Sequence, residues 1–318
     1  MIMQKTSISE KVATGAAQSK LILVGEHAVV HGQPAIALPF PLIGAESIVE
    51  RASGNVYLDS SLYRGPMELA PKSLSGIVNT VKHTLKLLHI PYEDLLIRIR
   101  SSIPPGKGLG SSASVAIAII KSLFEYSNEK YTKEILLQLA NISETFAHGA
   151  PSGIDPLTIT SQSPIWYKRE EPIDHIHPNG EFHFVVADTG LMADTKSAID
   201  TVTGLIKSTP QKVNDTMNRI GNITFQAREA LEKSSKQLLG FLLDEAQKEL
   251  QAIGVSDMSL NRLIHVAKQE GALGAKLTGG GNGGCIIALA KDKDHSLLLS
   301  EKLRQSGADA VWNYDLKG

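Results

Sequence analysis

Short stretches of the first hundred residues alternate between apolar and polar positions. The stretch "KLILVGEHAVVHGQPAIAL" places two apolar runs around a polar, glycine-containing middle, which predicts a strand, a loop and a strand. Alternation continues through "LIGAESIVE" and "NVYLDS", and again through "LLIRIR", where Ile97 and Ile99 alternate with arginines. An antiparallel sheet is therefore expected in the first part of the chain.

The apolar period becomes helical in "PKSLSGIVNTVKHTLKLLHI". One helical face collects its apolar residues Leu74, Ile77, Val78, Val81, Leu85 and Leu88. Two further helices are predicted, over about residues 111–126 and 132–148, the second with Thr132 in position to cap it. The glycine and proline of "HGAPSG" predict where that second helix ends.

The second half of the chain mixes helices with short apolar strands. Strands are predicted at "FHFVVADTG", "GAKLT", "CIIALA" and "AVWNYD", with three or four helices between 194 and 269 and another near 296–305. Because the alternation lacks the regular repeat of a parallel α/β barrel, the predicted fold class is α+β.

Two domains are expected, because the 318 residues exceed the roughly 250 to 300 at which a single core stops growing. The polar segment "KREEPIDHIHPNGEF" lacks periodicity and is the predicted linker. The predicted domains are therefore 1–178 and 179–318. The last strand is expected to be able to pack back on the first domain.

The composition narrows the function classes. The 32 Lys and Arg balance the 33 Asp and Glu, and the net charge of −1 offers no general attraction to nucleic acid or anionic lipid. The only cysteine, Cys285, excludes an internal disulfide and is expected to be a small buried residue of a strand. No apolar stretch reaches about 18 residues. A cytoplasmic protein without nucleic-acid or membrane partners is expected.

The segment "PPGKGLGSSAS", residues 104–114, lies where a strand gives way to a helix. Backbone N–H groups beside glycines are unshielded, and a helix N-terminus adds a partial charge of about +0.5, so phosphate is the expected ligand. The pattern is not a Walker A loop, because Lys107 precedes the final glycine and no lysine follows it. The second glycine loop, "GGGNGG", is on its own equally typical of a hairpin turn.

Three motifs together resemble the signatures of the GHMP kinases, which include galactokinases, homoserine kinases, mevalonate kinases and phosphomevalonate kinases. They are "KLILVGEHAVVHGQPAIALP", "PPGKGLGSSAS" and "KLTGGGNGGCIIAL", in family order and at family spacing. The resemblance implies a two-domain fold. Its N-terminal domain combines a mixed sheet, helices and the glycine-rich phosphate loop, and its C-terminal domain is ferredoxin-like. "GEHAVVHG" and "HGAPSGID" are most similar to the mevalonate kinase members.

The resemblance implies transfer of the γ-phosphoryl group of ATP to the C5 hydroxyl of (R)-mevalonate, with Mg²⁺, in isoprenoid biosynthesis. It implies that Asp155 is the general base and that Lys20 keeps this carboxylate ionised and stabilises the forming alkoxide. It also implies Ser112 and Glu144 as magnesium ligands. Without the resemblance, Asp155 is typical of a loop or first-turn aspartate, Glu144 of a surface glutamate and Lys20 of a solvated lysine.

The ATP-binding residues that the resemblance implies come from the two glycine loops. They are Pro104, Pro105, Gly106, Lys107, Gly108, Leu109, Gly110, Ser111, Ser112, Ala113, Ser114, Gly279 and Gly280. Those implied near the substrate are Glu26, His27 and Thr195. The chain departs from the family at Asn282, where an unbroken glycine series is common, although asparagine tolerates left-handed backbone.

Several alternatives stay open at this point. His27 and His31 are spaced like a metal pair, but the segment between them is β-like and would not hold both on one helical face. Phosphomevalonate kinase, homoserine kinase and a non-catalytic nucleotide-binding regulator are rival functions. A phosphorylated substrate calls for more cations than Lys20, the only one in the first motif. Dimerisation, the preferred divalent ion and feedback inhibition by pathway products are left undecided.

Overall fold

The computed structural model describes residues 11–148, 153–193 and 195–318, with the backbone alone at 147, 148, 195 and 196. The strands are β1 (Val12–Val24), β2 (Ala35–Asn55), β3 (Tyr57–Asp59), β4 (Arg64–Pro66), β5 (Glu93–Ser101), β6 (Ile165–Tyr167), β7 (Asp174–His175), β8 (Glu181–Asp188), β9 (Gly274–Thr278), β10 (Cys285–Ala290) and β11 (Ala310–Lys317). The α-helices are α1 (Ser75–Leu87), α2 (Ser111–Ser127), α3 (Lys133–His148), α4 (Ile154–Ile159), α5 (Thr195–Ser208), α6 (Pro210–Glu232), α7 (Lys236–Ala252), α8 (Met258–Gln269) and α9 (Lys293–Gln305).

The described chain forms two compact units, each assembled from separated segments. The first contains residues 11–18, 43–103 and the described part of 111–156, and the second contains 19–42, 104–110 and the described part of 157–318. Strands β1 and β2 each contribute residues to both units. The units therefore do not follow the single boundary expected at residue 178, because a polar linker in the sequence cannot reveal a strand that both units share. That domain boundary stays a prediction.

The first unit packs α1, α2 and α3 with a sheet. In this sheet β2 runs antiparallel to β5, with Ala45 opposite Ser101, and β3 runs parallel to β5. Helix α2 is buried over most of its length, because its small and apolar residues leave no continuous polar face. The helix predicted from the apolar period is confirmed as α1, with Val81 and Leu85 buried.

The second unit is built on an antiparallel sheet in the order β11-β8-β10-β9. When these four strands are numbered 1 to 4 in chain order, their order across the sheet is 4-1-3-2. Along the chain, α5 to α8 lie between β8 and β9, and α9 lies between β10 and β11. The apolar core of the unit draws buried residues from these strands and from α5 to α9. The predicted α+β class and the ferredoxin-like second half are confirmed.

The last strand, β11, pairs with β8 in this sheet, with Ala310 opposite Asp188. Two of its aromatic side chains also meet Phe40 of β2 edge-on, with ring centroids 6.2 Å away for Trp312 and 5.4 Å away for Tyr314. Phe40 lies within the predicted first domain and within the second unit of the structure.

Local structure differs from the sequence predictions after His27 and at the start of α9, among other places. The segment after His27, expected to be β-like, is a short 3₁₀ helix over Ala28–His31, because left-handed backbone at His27 (φ 60°) and Gly32 (φ 80°) turns the chain at both ends. Helix α9 begins at Lys293, earlier than predicted, since the Asp292 carboxylate caps it by accepting a hydrogen bond from the His295 N–H.

Other local expectations agree with the structure. Thr132 accepts a hydrogen bond from the Ile135 N–H at 3.3 Å, which confirms it as a cap of α3. The turn predicted in "HGAPSG" falls mostly on residues 149–152, outside the described residues. Within the described ranges, none of the helices combines the length and apolar content of a bilayer span.

Candidate active site

The phosphate loop, residues 104–110, connects β5 to α2, as the sequence predicted. Its three glycines all have left-handed backbone, with φ of 66° at Gly106, 76° at Gly108 and 75° at Gly110. Glycine adopts this conformation without a Cβ penalty, so the chain can turn repeatedly while its N–H groups stay unshielded. Ser111 then begins α2, which supplies the helix N-terminus that an anion favours.

The phosphate loop and the third-motif loop, residues 279–284, approach each other backbone to backbone in the second unit. A Cβ added to Gly279 would stand 2.8 Å from the Gly108 Cα, so neither position has room for a side chain. Asn282 has a φ of 50°, which confirms that asparagine accepts the left-handed turn here, and its N–H donates to the Val255 carbonyl at 2.9 Å. The two predicted glycine loops are therefore brought together.

The Lys107 side chain has two partners within the protein. Its ammonium group lies 2.8 Å from Asp188 Oδ1 and donates to the Leu191 carbonyl at 2.8 Å. The Lys107 side chain is 7% exposed and that of Asp188 is 0% exposed. An ATP contact made by the Lys107 side chain, predicted from the motif, would have to compete with these two partners.

Lys20 is buried, with 5% of its surface exposed, so it is not the solvated lysine that strand position alone suggests. Its N–H donates to the Leu109 carbonyl at 3.3 Å, and the neighbouring Ser19 hydroxyl donates to the same carbonyl at 2.6 Å. A Cβ on Gly110 would stand 2.9 Å from the Lys20 Cγ. The absent side chain at Gly110 thus makes room for the alkyl chain of Lys20 beside the phosphate loop.

Asp155 lies in the first turn of α4 and is half-buried. It belongs to the first unit and Lys20 to the second, so their pairing stays a prediction. Thr195 begins α5, and its side chain lies outside the described residues.

The two predicted magnesium ligands occupy neighbouring parts of the first unit. Ser112 Oγ on α2 is 3.3 Å from Ser143 Oγ on α3, and Ser143 directly precedes Glu144. Glu144 is 6% exposed, so the alternative of an ordinary surface glutamate is wrong. A hydroxyl and a carboxylate are oxygen donors of the type that Mg²⁺ takes from protein, with phosphate and water completing its shell.

A buried ion pair that the motifs did not predict joins Glu26 to Lys276, in the middle of β9. The Lys276 ammonium donates to Glu26 Oε1 and to the Leu277 carbonyl. Burial raises the pKa of Glu26 and lowers the pKa of Lys276, and their mutual attraction opposes both shifts. Among the described residues, the buried Glu26 Oε2 has no hydrogen-bond partner. The sequence signal was a lysine inside the otherwise apolar strand "GAKLT", directly before a glycine loop.

His27 connects the first motif to the third. Its Nε2 donates to the Gly280 carbonyl at 3.0 Å, and burial lowers the pKa of the imidazole to about 4, which keeps the ring neutral at pH 7. Thr278 makes a second connection, because its hydroxyl donates to the Ile22 carbonyl at 2.8 Å and accepts from the Ile22 N–H at 3.2 Å. These three hydrogen bonds hold Thr278 and the third-motif loop against the first motif.

Comparisons with known proteins place this geometry in a family. The family model "GHMP kinases N terminal domain" matches residues 76–162, and "GHMP kinases C terminal" matches residues 227–309. A mevalonate kinase of Pyrococcus abyssi is 31% identical over 313 residues, which cover 92% of this chain and 93% of that protein. The chain belongs to the GHMP kinase family. As a kinase of this family, it uses ATP and a small-molecule acceptor.

Solved structures share the fold of this GHMP kinase. The L. major mevalonate kinase in complex with R-mevalonate superposes with a TM-score of 0.84 at 28% identity, covering 99% of both chains. The phosphomevalonate kinase of Streptococcus pneumoniae, in complex with phosphomevalonate and AMPPNP, has a TM-score of 0.79 at 19% identity and covers 95% of this chain and 99% of its own. This second likeness shows the fold alone.

Proposed function

We propose that this GHMP kinase transfers the γ-phosphoryl group of ATP to the C5 hydroxyl of (R)-mevalonate and gives 5-phosphomevalonate. The observation that carries the proposal is the match to a mevalonate kinase over nearly the full length of both chains, at 31% identity. A first motif typical of mevalonate kinases supports the same acceptor.

Phosphoryl transfer depends mainly on alignment and charge neutralisation. The glycine backbone of residues 104–110 and the N-terminus of α2 would bind the triphosphate through N–H groups. Ser112 and Glu144 would hold Mg²⁺, which when bound neutralises phosphate charge. The proximity of Ser112 Oγ to Ser143 Oγ, 3.3 Å, supports a shared location for the helices that carry these two ligands.

The acceptor hydroxyl must lose a proton as the new bond forms. We assign this proton to the Asp155 carboxylate, a general-base effect typically of about 10²- to 10⁴-fold. Lys20 would keep that carboxylate ionised and stabilise the forming alkoxide. The burial of Lys20 supports this role, because a charge removed from bulk water acts more strongly on its neighbours.

Glu26, His27 and Thr195 would contact mevalonate. Lys276 occupies Glu26 Oε1, which leaves Oε2 as the oxygen able to accept a hydrogen bond from a substrate hydroxyl. A neutral His27 would add no positive charge to this part of the site.

A phosphorylated acceptor is the second candidate and is less well supported. It would call for cations able to bind an additional phosphate. Of the three buried lysines in the described chain, which are Lys20, Lys107 and Lys276, the last two are already paired with carboxylates, and this pairing does not favour a further phosphate beside them.

A coupled assay that measures ADP release tests the proposal, with mevalonate, 5-phosphomevalonate and homoserine supplied separately in the presence of Mg²⁺. We expect turnover with mevalonate. Turnover with only one of the other two acceptors would replace mevalonate kinase by that activity. Tight ATP binding without any turnover would instead support the non-catalytic regulator.

A further inference from the structure

Three loops of the second unit meet at one place, the three-loop junction, defined as residues 104–110, 188–193 and 279–284. The Ala193 N–H donates to the Gly106 carbonyl at 2.6 Å, which joins the first two loops. The Gly284 N–H donates to the Leu191 carbonyl at 3.0 Å, and the Thr189 hydroxyl donates to the Gly284 carbonyl at 2.8 Å. These two bonds join the second loop to the third.

Backbone atoms of the three loops pack directly against one another in the three-loop junction. A Cβ added to Gly284 would stand 3.0 Å from the Lys107 carbonyl oxygen, and one added to Gly283 would stand 2.5 Å from the Met192 carbonyl oxygen. Such close packing leaves little tolerance for displacement of one loop past another.

Lys107 and Asp188 supply the charged side chains of the junction. Lys107 Nζ lies 2.8 Å from Asp188 Oδ1 and 2.8 Å from the Leu191 carbonyl oxygen. This side chain of the phosphate loop therefore contacts both ends of the turn that Asp188 and Leu191 bound. Asp188 Oδ1 also accepts from the Gly190 N–H at 2.9 Å. The same carboxylate oxygen therefore contacts Lys107 and stabilises the turn that follows Asp188.

Asp188 has no evident substitute for this lysine within the described residues. Its side chain is 0% exposed, and its Oδ2 has no hydrogen-bond partner there. Removing one partner from a buried pair leaves an uncompensated charge, which is strongly unfavourable. The ammonium group is therefore expected to stay with Asp188 when nucleotide binds.

We propose that Lys107 is a positioning residue. Paired with Asp188, it holds the phosphate loop in register with the third glycine loop and does not itself bind phosphate. The inference rests on the proposed ATP-dependent function, and it replaces the sequence prediction that Lys107 binds ATP.

A double-mutant cycle tests this role, with calorimetric binding of AMPPNP as the measurement on the full chain. We expect Lys107→Met and Asp188→Asn each to weaken AMPPNP binding at least about tenfold, and the double variant to be no weaker than the worse single variant. A lysine that binds phosphate directly would give a different result. Lys107→Met would then weaken binding by the same factor in both backgrounds, and Asp188→Asn would leave binding unchanged or tighten it.

The chain offers a chemically similar, more exposed control pair away from the junction. Lys268 Nζ lies 2.5 Å from Asp244 Oδ2 and donates to the Leu273 carbonyl at 3.2 Å, which is the same combination of a carboxylate and a backbone carbonyl. Lys268→Met and Asp244→Asn should change AMPPNP binding less than about twofold. An equal loss in the control pair would overturn the proposal, because any Lys–Asp pair would then have the same effect.

A second measurement covers the case in which Lys107→Met does not fold. Amide hydrogen exchange of residues 106–110, without nucleotide, should become at least about tenfold faster in Asp188→Asn and stay unchanged in Asp244→Asn. Unchanged protection in Asp188→Asn would overturn the positioning role.

The two proposals fail in different ways. A wild type that binds AMPPNP but does not phosphorylate mevalonate contradicts the proposed function, while the cycle still decides the role of Lys107. Normal mevalonate turnover together with an additive cycle contradicts the positioning role alone.

Discussion

Lys276 donates to Glu26 Oε1 in the interior of the second unit, where the two side chains are 0% and 2% exposed. Removing two charges from water carries a large desolvation penalty, which their attraction offsets only with good geometry and further hydrogen bonds. Lys276 has such a bond to the Leu277 carbonyl, whereas the Oε2 atom of Glu26 lacks one within the described chain. The pair thus fixes a carboxylate that keeps one oxygen available.

Replacing Lys276 by methionine should destabilise the protein by about 3–5 kcal/mol, because it leaves a buried carboxylate uncompensated. Urea unfolding monitored by circular dichroism measures the loss. The double variant Lys276→Met/Glu26→Gln should recover most of it, since no buried charge then remains. A single variant within about 1 kcal/mol of the wild type would show that the pair does not matter for stability.

Asp155→Asn should lower kcat at least about 100-fold, because the amide cannot accept the proton of the acceptor hydroxyl. AMPPNP binding should stay within about twofold of the wild type, since the substitution keeps the shape of the side chain. Steady-state kinetics and calorimetry measure the two effects. Asp174→Asn, at a 56%-exposed carboxylate on β7, is the control and should leave kcat unchanged. A normal kcat in Asp155→Asn would remove the general base from the proposed mechanism.

Glu144→Gln should raise the Mg²⁺ concentration that gives half-maximal activity about tenfold or more, because the neutral amide is a weaker ligand for a hard cation. The measurement is a Mg²⁺ titration at saturating ATP and mevalonate. Glu125→Gln, at an exposed position of α2, is the matched control. An identical Mg²⁺ requirement in Glu144→Gln and the control would exclude Glu144 as a ligand.

His27 should make the protein less stable in acid. The imidazole has a pKa of about 6.5 in an unfolded chain and of about 4 in the folded protein. Between these pH values the unfolded chain binds the proton and the folded protein does not, so the free energy of unfolding falls as the pH drops from about 6.5 to about 4.

Above about pH 7 protonation of this imidazole no longer changes the free energy of unfolding, because the ring is neutral in both states. Because the ring is half-buried, solvent screens part of the effect of the pKa shift, and the expected loss in the free energy of unfolding is about 1–3 kcal/mol. Urea unfolding at pH 7 and pH 4.5 measures it, with His27→Asn as the comparison because asparagine also tolerates a positive φ. The same acid-induced loss in His27→Asn would assign the effect to other groups.

Gly279→Ala should weaken AMPPNP binding at least about tenfold, because its Cβ would stand 2.8 Å from the Gly108 Cα and push the phosphate loop away. Gly54→Ala is the matched control. Its φ of 98° carries similar backbone strain, but nothing lies within 4 Å of the added Cβ. Equal binding in the two variants would show that the contact between the loops does not control nucleotide affinity.

The sequence predicted well what depends on local chemistry. Glycines at positive φ and a helix beginning at Ser111 follow from residue types over a few positions, so the phosphate loop was placed correctly. The apolar period was sufficient to predict α1, and the three motifs together indicated the family.

What the sequence missed depends on packing between distant segments. Lys20 and Glu144 belong to residue types that are usually exposed, and their burial is set by neighbours far along the chain. The pairs Lys276–Glu26 and Lys107–Asp188 join positions 250 and 81 residues apart, which no local pattern reveals.

The division of strand β2 between the two units affects the design of chimeric proteins. Residues 35–42 belong to one compact unit and residues 43–55 to the other, within a single uninterrupted strand. A fragment ending near residue 178 would keep residues 19–42 but lose β8 to β11, the sheet of the unit to which those residues belong. Chimeras with relatives should therefore exchange residues 19–42 together with the carboxyl-terminal half. A single crossover point between them would take these two segments from different proteins, although both belong to the second unit.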